Sequence, residues 1–487
     1  MNRLTAPAQS RLSHLTISGS GGAYLVLRYG LSTLVTLGNM LVLTWWIGPH
    51  AYGVFVTAVG MATFLASLTR AGVDTHLVRC PSAPADRQYG AAVGIILANS
   101  LTLLLCGLLA VPFLKQWYGS KEFAGPYVVL LLTLPLVGLA GPPMARLERE
   151  LRFRAVASIE LGGQVAAFAV SALLAWRGLG VWAPVAGHLV WQLVSIAAAW
   201  AAAGLRPSLV FDRAEARAML RFGLGYAASM RVWQLRTLVN PLLIGRALGV
   251  EAVAFAGLAI RLAEGLSFLR VAAGRISLAM LARAQHDAAA FRRLLQQIVQ
   301  WQIAALGPLL CLFAVTAPWI VPRVFGPRWI PALAVYPLVA AAVLANAVFG
   351  VEAAALFVFG KQWKVTRAYA VHVGLLGLGT LLLVPVLGVQ GYGWADLFAC
   401  VGYYLIHKEL DSGLRAATRA CAGWLAGFTG FLLIPLVRGR VVMLLLLPLA
   451  VSASSSIYRF GSSLLARRHD SLDLSSIALE EAGERLP

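Results

Sequence analysis

Residues 330–359 read IPALAVYPLVAAAVLANAVFGVEAAALFVF, thirty positions with one charged side chain, Glu352. A helix rises about 1.5 Å per residue and the hydrocarbon core of a bilayer is about 30 Å thick, so roughly 20 such residues cross it. Stretches of this kind follow one another along almost the whole chain of 487 residues: 21–47, 53–70, 90–114, 126–145, 157–177, 180–203, 222–246, 251–269, 296–321, 330–359, 369–387, 391–407, 420–437 and 441–458. Hydrophobic residues make up 59% of the sequence, charged residues 12%, and the mean hydropathy is +0.77. A water-soluble domain cannot hide that much apolar surface. The expected fold is an all-α polytopic membrane protein with about fourteen transmembrane helices.

The formal charge of +20 would turn a soluble protein towards nucleic acid. In a membrane protein it has another cause, because Lys and Arg collect in loops that stay in the cytoplasm. With the N-terminus inside, 28 of the 40 basic residues fall in inside segments, 8 in outside segments and 4 within spans. Both termini are therefore expected in the cytoplasm, and no nucleic-acid partner is expected. The first twenty residues hold no short apolar core ahead of a cleavage site, so no signal peptide is read there. The five cysteines are scattered without paired spacing and read as small helix-packing residues, neither a disulfide framework nor a metal site.

The chain repeats itself. GPHAYG (48–53) corresponds to GVEAVA (249–254), WYGSKEF (117–123) to VFGPRWI (324–330), RELRFRA (149–155) to KQWKVTRA (361–368), and GLGVW (178–182) to GVQGYGW (388–394). All four pairs keep their order, and each pair falls on one side of the membrane. Six spans return a chain to its starting side, so the repeats are parallel, related by an axis along the membrane normal. The expected organisation is an N-terminal lobe at 1–204, an amphipathic cytoplasmic linker at 205–221, a C-terminal lobe at 222–411, and two further helices with a polar tail at 412–487. In the linker, Asp212 and Glu215 have capping-box spacing.

With two six-helix halves, two added helices and these turns, the chain resembles the polysaccharide-exporting Wzx branch of the multidrug/oligosaccharidyl-lipid/polysaccharide flippase superfamily. The resemblance rests on IGPHAYGVF (47–55), RLERELRFRAVASIELGG (146–163), GLGVWAPVAGHLV (178–190) and MLARAQHDAAAFRRL (280–294). It implies two helical bundles around a central cavity. It also implies a flippase of the bacterial inner membrane, not an enzyme, that carries undecaprenyl-diphosphate-linked oligosaccharide repeat units between leaflets by alternating access. Membrane lipids, a polysaccharide polymerase and a chain-length regulator are the implied partners. No cofactor is implied beyond a proton or sodium gradient.

A lipid-linked diphosphate must cross a low-dielectric barrier, where an unpaired charge costs several kcal/mol or more. Arginines facing a wet cavity would lower that cost, since the planar guanidinium matches phosphate oxygens. The in-span candidates are Arg28, Arg231, Arg236 and Arg261; Arg28 and Arg231 stand on corresponding helices of the two halves. Arg261 and Glu264 lie three apart on the eighth span, hence on one face, and can pair. Alternatively, Arg261 binds diphosphate while Glu264 binds a coupling cation or proton. Glu160, Glu352 and Asp396 read as interfacial or gate contacts, and His188 and His372 as packing residues. Trp45, Trp46, Tyr52, Trp117, Tyr118, Trp182, Trp329, Tyr392 and Trp394 cluster at outer ends as an aromatic belt expects. The runner-up function is a drug/cation antiporter of the same superfamily, which would favour buried carboxylates over arginines. A membrane glycan polymerase or transferase would need an outer loop with clustered carboxylates or histidines.

Overall fold

The computed structural model describes residues 19–79, 84–119, 122–150, 152–205, 208–209, 217, 219, 231–268, 270, 277 and 280–438. The span expected at 441–458, the polar tail and the linker's Asp212 and Glu215 lie outside the described residues. In chain order the helices are α1 (Gly19–Thr69), α2 (Val73–Arg79), α3 (Asp86–Tyr118), α4 (Ala124–Leu131), α5 (Leu134–Leu139), α6 (Gly141–Arg149), α7 (Phe153–Trp176), α8 (Trp182–Ala203), α9 (Arg236–Val239), α10 (Gly245–Leu248), α11 (Val250–Leu266), α12 (Ala288–Val324), α13 (Ala332–Val358), α14 (Gln362–Leu387), α15 (Gln390–Ala399), α16 (Tyr404–Glu409), α17 (Ser412–Arg419) and α18 (Ala422–Arg438). A π turn at Asn240–Ile244 joins α9 to α10, and 3-10 turns lie at Pro327–Trp329 and Cys400–Tyr403. No strand occurs among the described residues.

Eight described helical runs are long and apolar enough to cross a bilayer, and α17 with α18 makes a ninth, bent by 44°. Of the other expected spans, that at 222–246 lies partly and that at 441–458 wholly outside the described residues, and the rest are merged, short or divided. α1 holds two expected spans in one run, α11 is only 17 residues long, and the span at 391–407 is divided between α15 and α16 by the 3-10 turn. Large apolar side chains such as Leu109, Phe113, Leu312, Leu382 and Val386 are 61–79% exposed. Surface of that kind suits acyl chains, not water. The protein is an all-helical, multi-pass membrane protein.

The sequence repeats are visible in the backbone. The two arms of α1 meet at Gly48 (φ 74°, ψ 174°), and α11 starts from Gly249 (φ 83°, ψ 177°), so GPHAYG and GVEAVA turn in the same way. Both glycines have positive φ, where a Cβ would clash. The residues preceding α7 and α14 also match, Arg152 at φ −80°, ψ 52° and Lys361 at φ −89°, ψ 36°. At the start of α12, Asp287 accepts hydrogen bonds from the Ala289 and Ala290 amides at 2.9 Å each, a side-chain N-cap. The Ala290 amide bond is the main cause holding its carboxyl below the usual carboxylate range.

The apolar core divides along the chain. One large cluster runs from Val239 to Leu432 and takes in Met40 and Tyr52 of α1, while separate clusters gather residues of α1 to α8. α13 is the spine of the large cluster, buried from Ala332 to Leu356 along most of its length. The all-round apolar sequence at 330–359 follows from this position, because a helix enclosed by protein needs no polar face. Between the halves, α1 runs against α11. A Cβ on Gly53 would lie 2.0 Å from the Val250 carbonyl oxygen, so the two backbones touch there. Close approach of this sort is what small residues supply between membrane helices, where packing replaces the hydrophobic driving force.

Candidate functional site

The contact of α1 with α11 sets the site. Arg261 and Glu264 of α11 face α1 below the Gly53 contact, and three openings meet around them. The largest, about 350 Å³, is walled by α1, α7 and α8 with Arg261 at its edge. Its polar lining is almost entirely uncharged: Thr36, Asn39, Thr63, Gln164, Ser171 and His188. A second opening of about 190 Å³ shares Thr36, Met40 and Arg261 with the first and adds Ser32 and Glu264. A third, tight gap holds Glu264 together with Arg236, Arg270, Asn346, His372 and Asp396. Shared lining residues link the three openings into one line, the passage, with Arg261 common to the first two and Glu264 to the second and third.

The expected residues take different places along it. Arg261 is exposed to the two larger openings and lies beside the Tyr52 hydroxyl. Glu264 does not pair with its helix neighbour; it meets Arg236 at 4.0 Å. Arg236 is 14% exposed and stacks over the Trp233 ring, 4.6 Å from its centre. Stacking and an ion pair together let a guanidinium sit away from water. Arg231 is half-buried one turn before α9. Arg28 lies in α1, and its side chain is outside the described residues.

Sequence reasoning passed over the partners of Arg236. Asp396, read as a gate contact, is buried in the same gap as Arg236, 3.9 Å from His372 Nε2. Arg270 donates to Asn346 Oδ1, and Asn346 Nδ2 donates to the Tyr403 hydroxyl at 2.9 Å. His372 stacks on Tyr403 with ring centres 4.7 Å apart, close to its expected packing role. Two arginines and two carboxyl groups thus share the gap. The presence of charge within some spans was legible; which charges meet across the bundle was not.

Tyr52 lines the largest opening, and around it the aromatic-belt reading needs dividing. Trp45, Trp46 and Trp182 are 44–57% exposed, as a belt requires, but Tyr52, Trp329 and Tyr392 are at most 3% exposed. Trp329 reaches across from the C-terminal half and donates through Nε1 to the Thr44 carbonyl at 3.3 Å, with its ring edge on Tyr52. Trp117 Nε1 donates to the Leu242 carbonyl at 2.9 Å, and the Tyr118 hydroxyl to that of Pro241 at 2.8 Å. A π turn departs from the regular hydrogen-bond ladder, and these two carbonyls beside Pro241 are used across the interface.

Comparison with known proteins gives a consistent family and fold. Residues 42–334 match the family described as polysaccharide biosynthesis protein. The chain is 24% identical over 236 residues to the amylovoran biosynthesis protein AmsL of Erwinia amylovora, a stretch covering 47% of this chain and 61% of AmsL. It is 25% identical over 209 residues to the succinoglycan biosynthesis transport protein ExoT of Rhizobium meliloti, covering 42% of this chain and 41% of ExoT. The matches thus span less than two thirds of the length of either relative. The teichuronic acid biosynthesis protein TuaB of Bacillus subtilis is 20% identical over 386 residues, 78% of this chain and 75% of TuaB. Among solved structures, the lipid II flippase MurJ in an inward closed conformation superposes with TM-score 0.71 at 12% identity, covering 90% of this chain and 99% of that one. An inward-facing MATE multidrug transporter gives TM-score 0.57 at 16% identity, covering 82% and 95%. Such likenesses show a transporter fold. With more than half of its length matched, the chain belongs to the polysaccharide biosynthesis protein family.

Proposed function

We propose that the protein is a flippase that moves undecaprenyl-diphosphate-linked oligosaccharide repeat units across the bacterial inner membrane, for exopolysaccharide, O-antigen or capsule synthesis. The observation that carries this reading is Arg261, an exposed guanidinium inside the bundle at the junction of the two larger openings. It supplies the fixed cation that a diphosphate needs to leave water. The uncharged polar walls beyond it suit hydroxyl-rich sugars. Arg28, Arg231 and Arg236 complete the cationic route, Arg236 engaging only as it exchanges Glu264 for phosphate. The lipid tail stays in the bilayer, and rocking of a lobe at 1–204 against a lobe at 222–411 carries the head group across. The basic ends of α6 and α14 face the cytoplasm in this reading, as do both termini, and the aromatic closure faces outwards. A polymerase and a chain-length regulator would receive the product; the chain itself performs no covalent chemistry.

Leaflet-specific labelling of the lipid-linked sugar in cells lacking the protein tests the proposal, with inner-leaflet accumulation as the expected result. Complementation with Arg261→Ala should restore membrane expression but leave export about tenfold or more below wild type, the range for a lost charge-assisted hydrogen bond. Wild-type export in that variant would remove Arg261 from the route. The second reading, a drug/cation antiporter, draws on the buried carboxylate of Asp396. Accumulation of cationic dyes in cells carrying and lacking the protein separates the two.

A further inference from the structure

Away from the passage, a second ionisable cluster sits where α13, α16, α17 and α18 meet. The Glu352 side chain on α13 is 1% exposed. Its Oε1 lies 2.9 Å from His407 Nδ1 on α16, and its Oε2 is buried with no hydrogen-bond partner. On the other side of the ring, Arg419 Nε donates to His407 Nε2 at 3.4 Å. An arginine has no lone pair to offer, so Nε2 must accept. The single ring proton is then on Nδ1 and is donated to Glu352. Beside the three lies a cavity of about 180 Å³. The other titratable groups lining it are Tyr404 of α16 and Cys421 before α18; α12 and α18 contribute apolar walls, among them Ile303 and Leu425. Just beyond His407, Glu409 is paired with Lys364 at 3.0 Å.

A carboxylate with an idle oxygen in so enclosed a place carries an unrelieved desolvation cost. We propose that Glu352 and His407 form a proton-binding relay whose occupancy is exclusive with the Arg419 contact. When Arg419 withdraws, a proton from water bonds to the Nε2 lone pair. The Nδ1–H bond breaks with its electron pair left on Nδ1, and the proton forms an O–H bond on Glu352. The outcome is a neutral Glu352 and a neutral His407 of the opposite tautomer. Nε2–H now points at Arg419, donor against donor, so that contact cannot re-form until the proton leaves. Arg419 ends α17, where α17 and α18 bend by 44°, and proton occupancy therefore sets whether this joint is pinned to α16. Nothing in this relay depends on what is transported, so its failure leaves the proposed function standing.

The test is infrared titration of the purified full-length protein between about pH 8 and about pH 5, the range over which histidine-linked sites change charge. Wild type should gain a protonated-carboxyl absorption that Glu352→Gln lacks. Arg419→Gln, which removes the guanidinium charge and adds an amide oxygen able to accept from Nε2–H, should raise the midpoint by about one pH unit, a tenfold gain in proton affinity. His407→Asn, which cannot relay, should retain the carboxyl but displace its midpoint. If Glu352→Gln does not fold, the other two variants decide. An absorption that survives in Glu352→Gln, or midpoints unmoved in both His407→Asn and Arg419→Gln, overturns the relay.

Discussion

Arg236 and Arg261 are the same residue type on neighbouring helices, yet their surroundings give them different tasks. Glu264 shares the second opening with Arg261, but on the side of the largest opening Arg261 meets neutral hydrogen-bonding groups, so an anion can approach it from there without displacing another charge. Arg236 already sits among Glu264, Asp396 and Trp233. The two carboxylates beside it differ as well: the Glu264 side chain is 47% exposed, whereas Asp396 is 3% exposed. Replacing the buried one leaves Arg236 with the half-exposed Glu264 alone, a change costing about 1–3 kcal/mol. Thermal unfolding in detergent should therefore show a large loss for Asp396→Asn and little for Glu264→Gln, whose partner is reached by water. Equal losses would mean that Asp396 does not balance Arg236. The four arginines were legible in the sequence because a charge within an apolar run is conspicuous. Asn346, Gln164 and Tyr403 were not, because a neutral polar residue looks the same whether it faces a cavity or a partner helix.

Among the elements, α1 and α11 carry the functional geometry. Their contact at Gly53 fixes how far Arg261 and Glu264 stand from α1, and no side chain is available there to yield. Replacing Gly53 with alanine would put a carbon 2.0 Å from the Val250 oxygen, so α11 must move and the passage must change width. Export should fall in Gly53→Ala, together with thermal stability. Gly162→Ala serves as the control, since a Cβ on that α7 glycine meets nothing within 4 Å. A loss as large in Gly162→Ala would show that helix glycines are needed here for some reason other than close approach. Most spans were readable as helices because apolar length alone sets them. Their breaks were harder to see: α4, α5 and α6 follow one another through 124–149, and α15 ends in a 3-10 turn inside an expected span. Such interruptions depend on tertiary partners that take up the freed backbone groups, and a hydropathy profile carries no trace of them.

At the scale of the molecule, the contacts between halves are unevenly distributed. The aromatic end is tied by Trp329 to Thr44, Trp117 to Leu242 and Tyr118 to Pro241, and by His50, which lies 2.7 Å from Glu122 and 3.7 Å from Glu251. All but His50–Glu122 pair segments on opposite sides of the repeat boundary. Alternating access needs such a closure to break, so its strength sets how often the passage opens at that end. Trp117→Phe with Tyr118→Phe removes two donors while leaving an aromatic ring at each position. At about 1 kcal/mol for each lost hydrogen bond, the closed-to-open ratio should fall by roughly tenfold to thirtyfold. Leu43, buried against the large opening, reports the change when replaced by cysteine in a background free of the five native cysteines. A membrane-impermeant thiol reagent applied outside the cell should then modify Leu43→Cys faster in the double variant than in its parent. An unchanged rate would place the moving gate elsewhere. Faster labelling only from the cytoplasmic side would reverse the proposed orientation, and with it the proposed direction of transport.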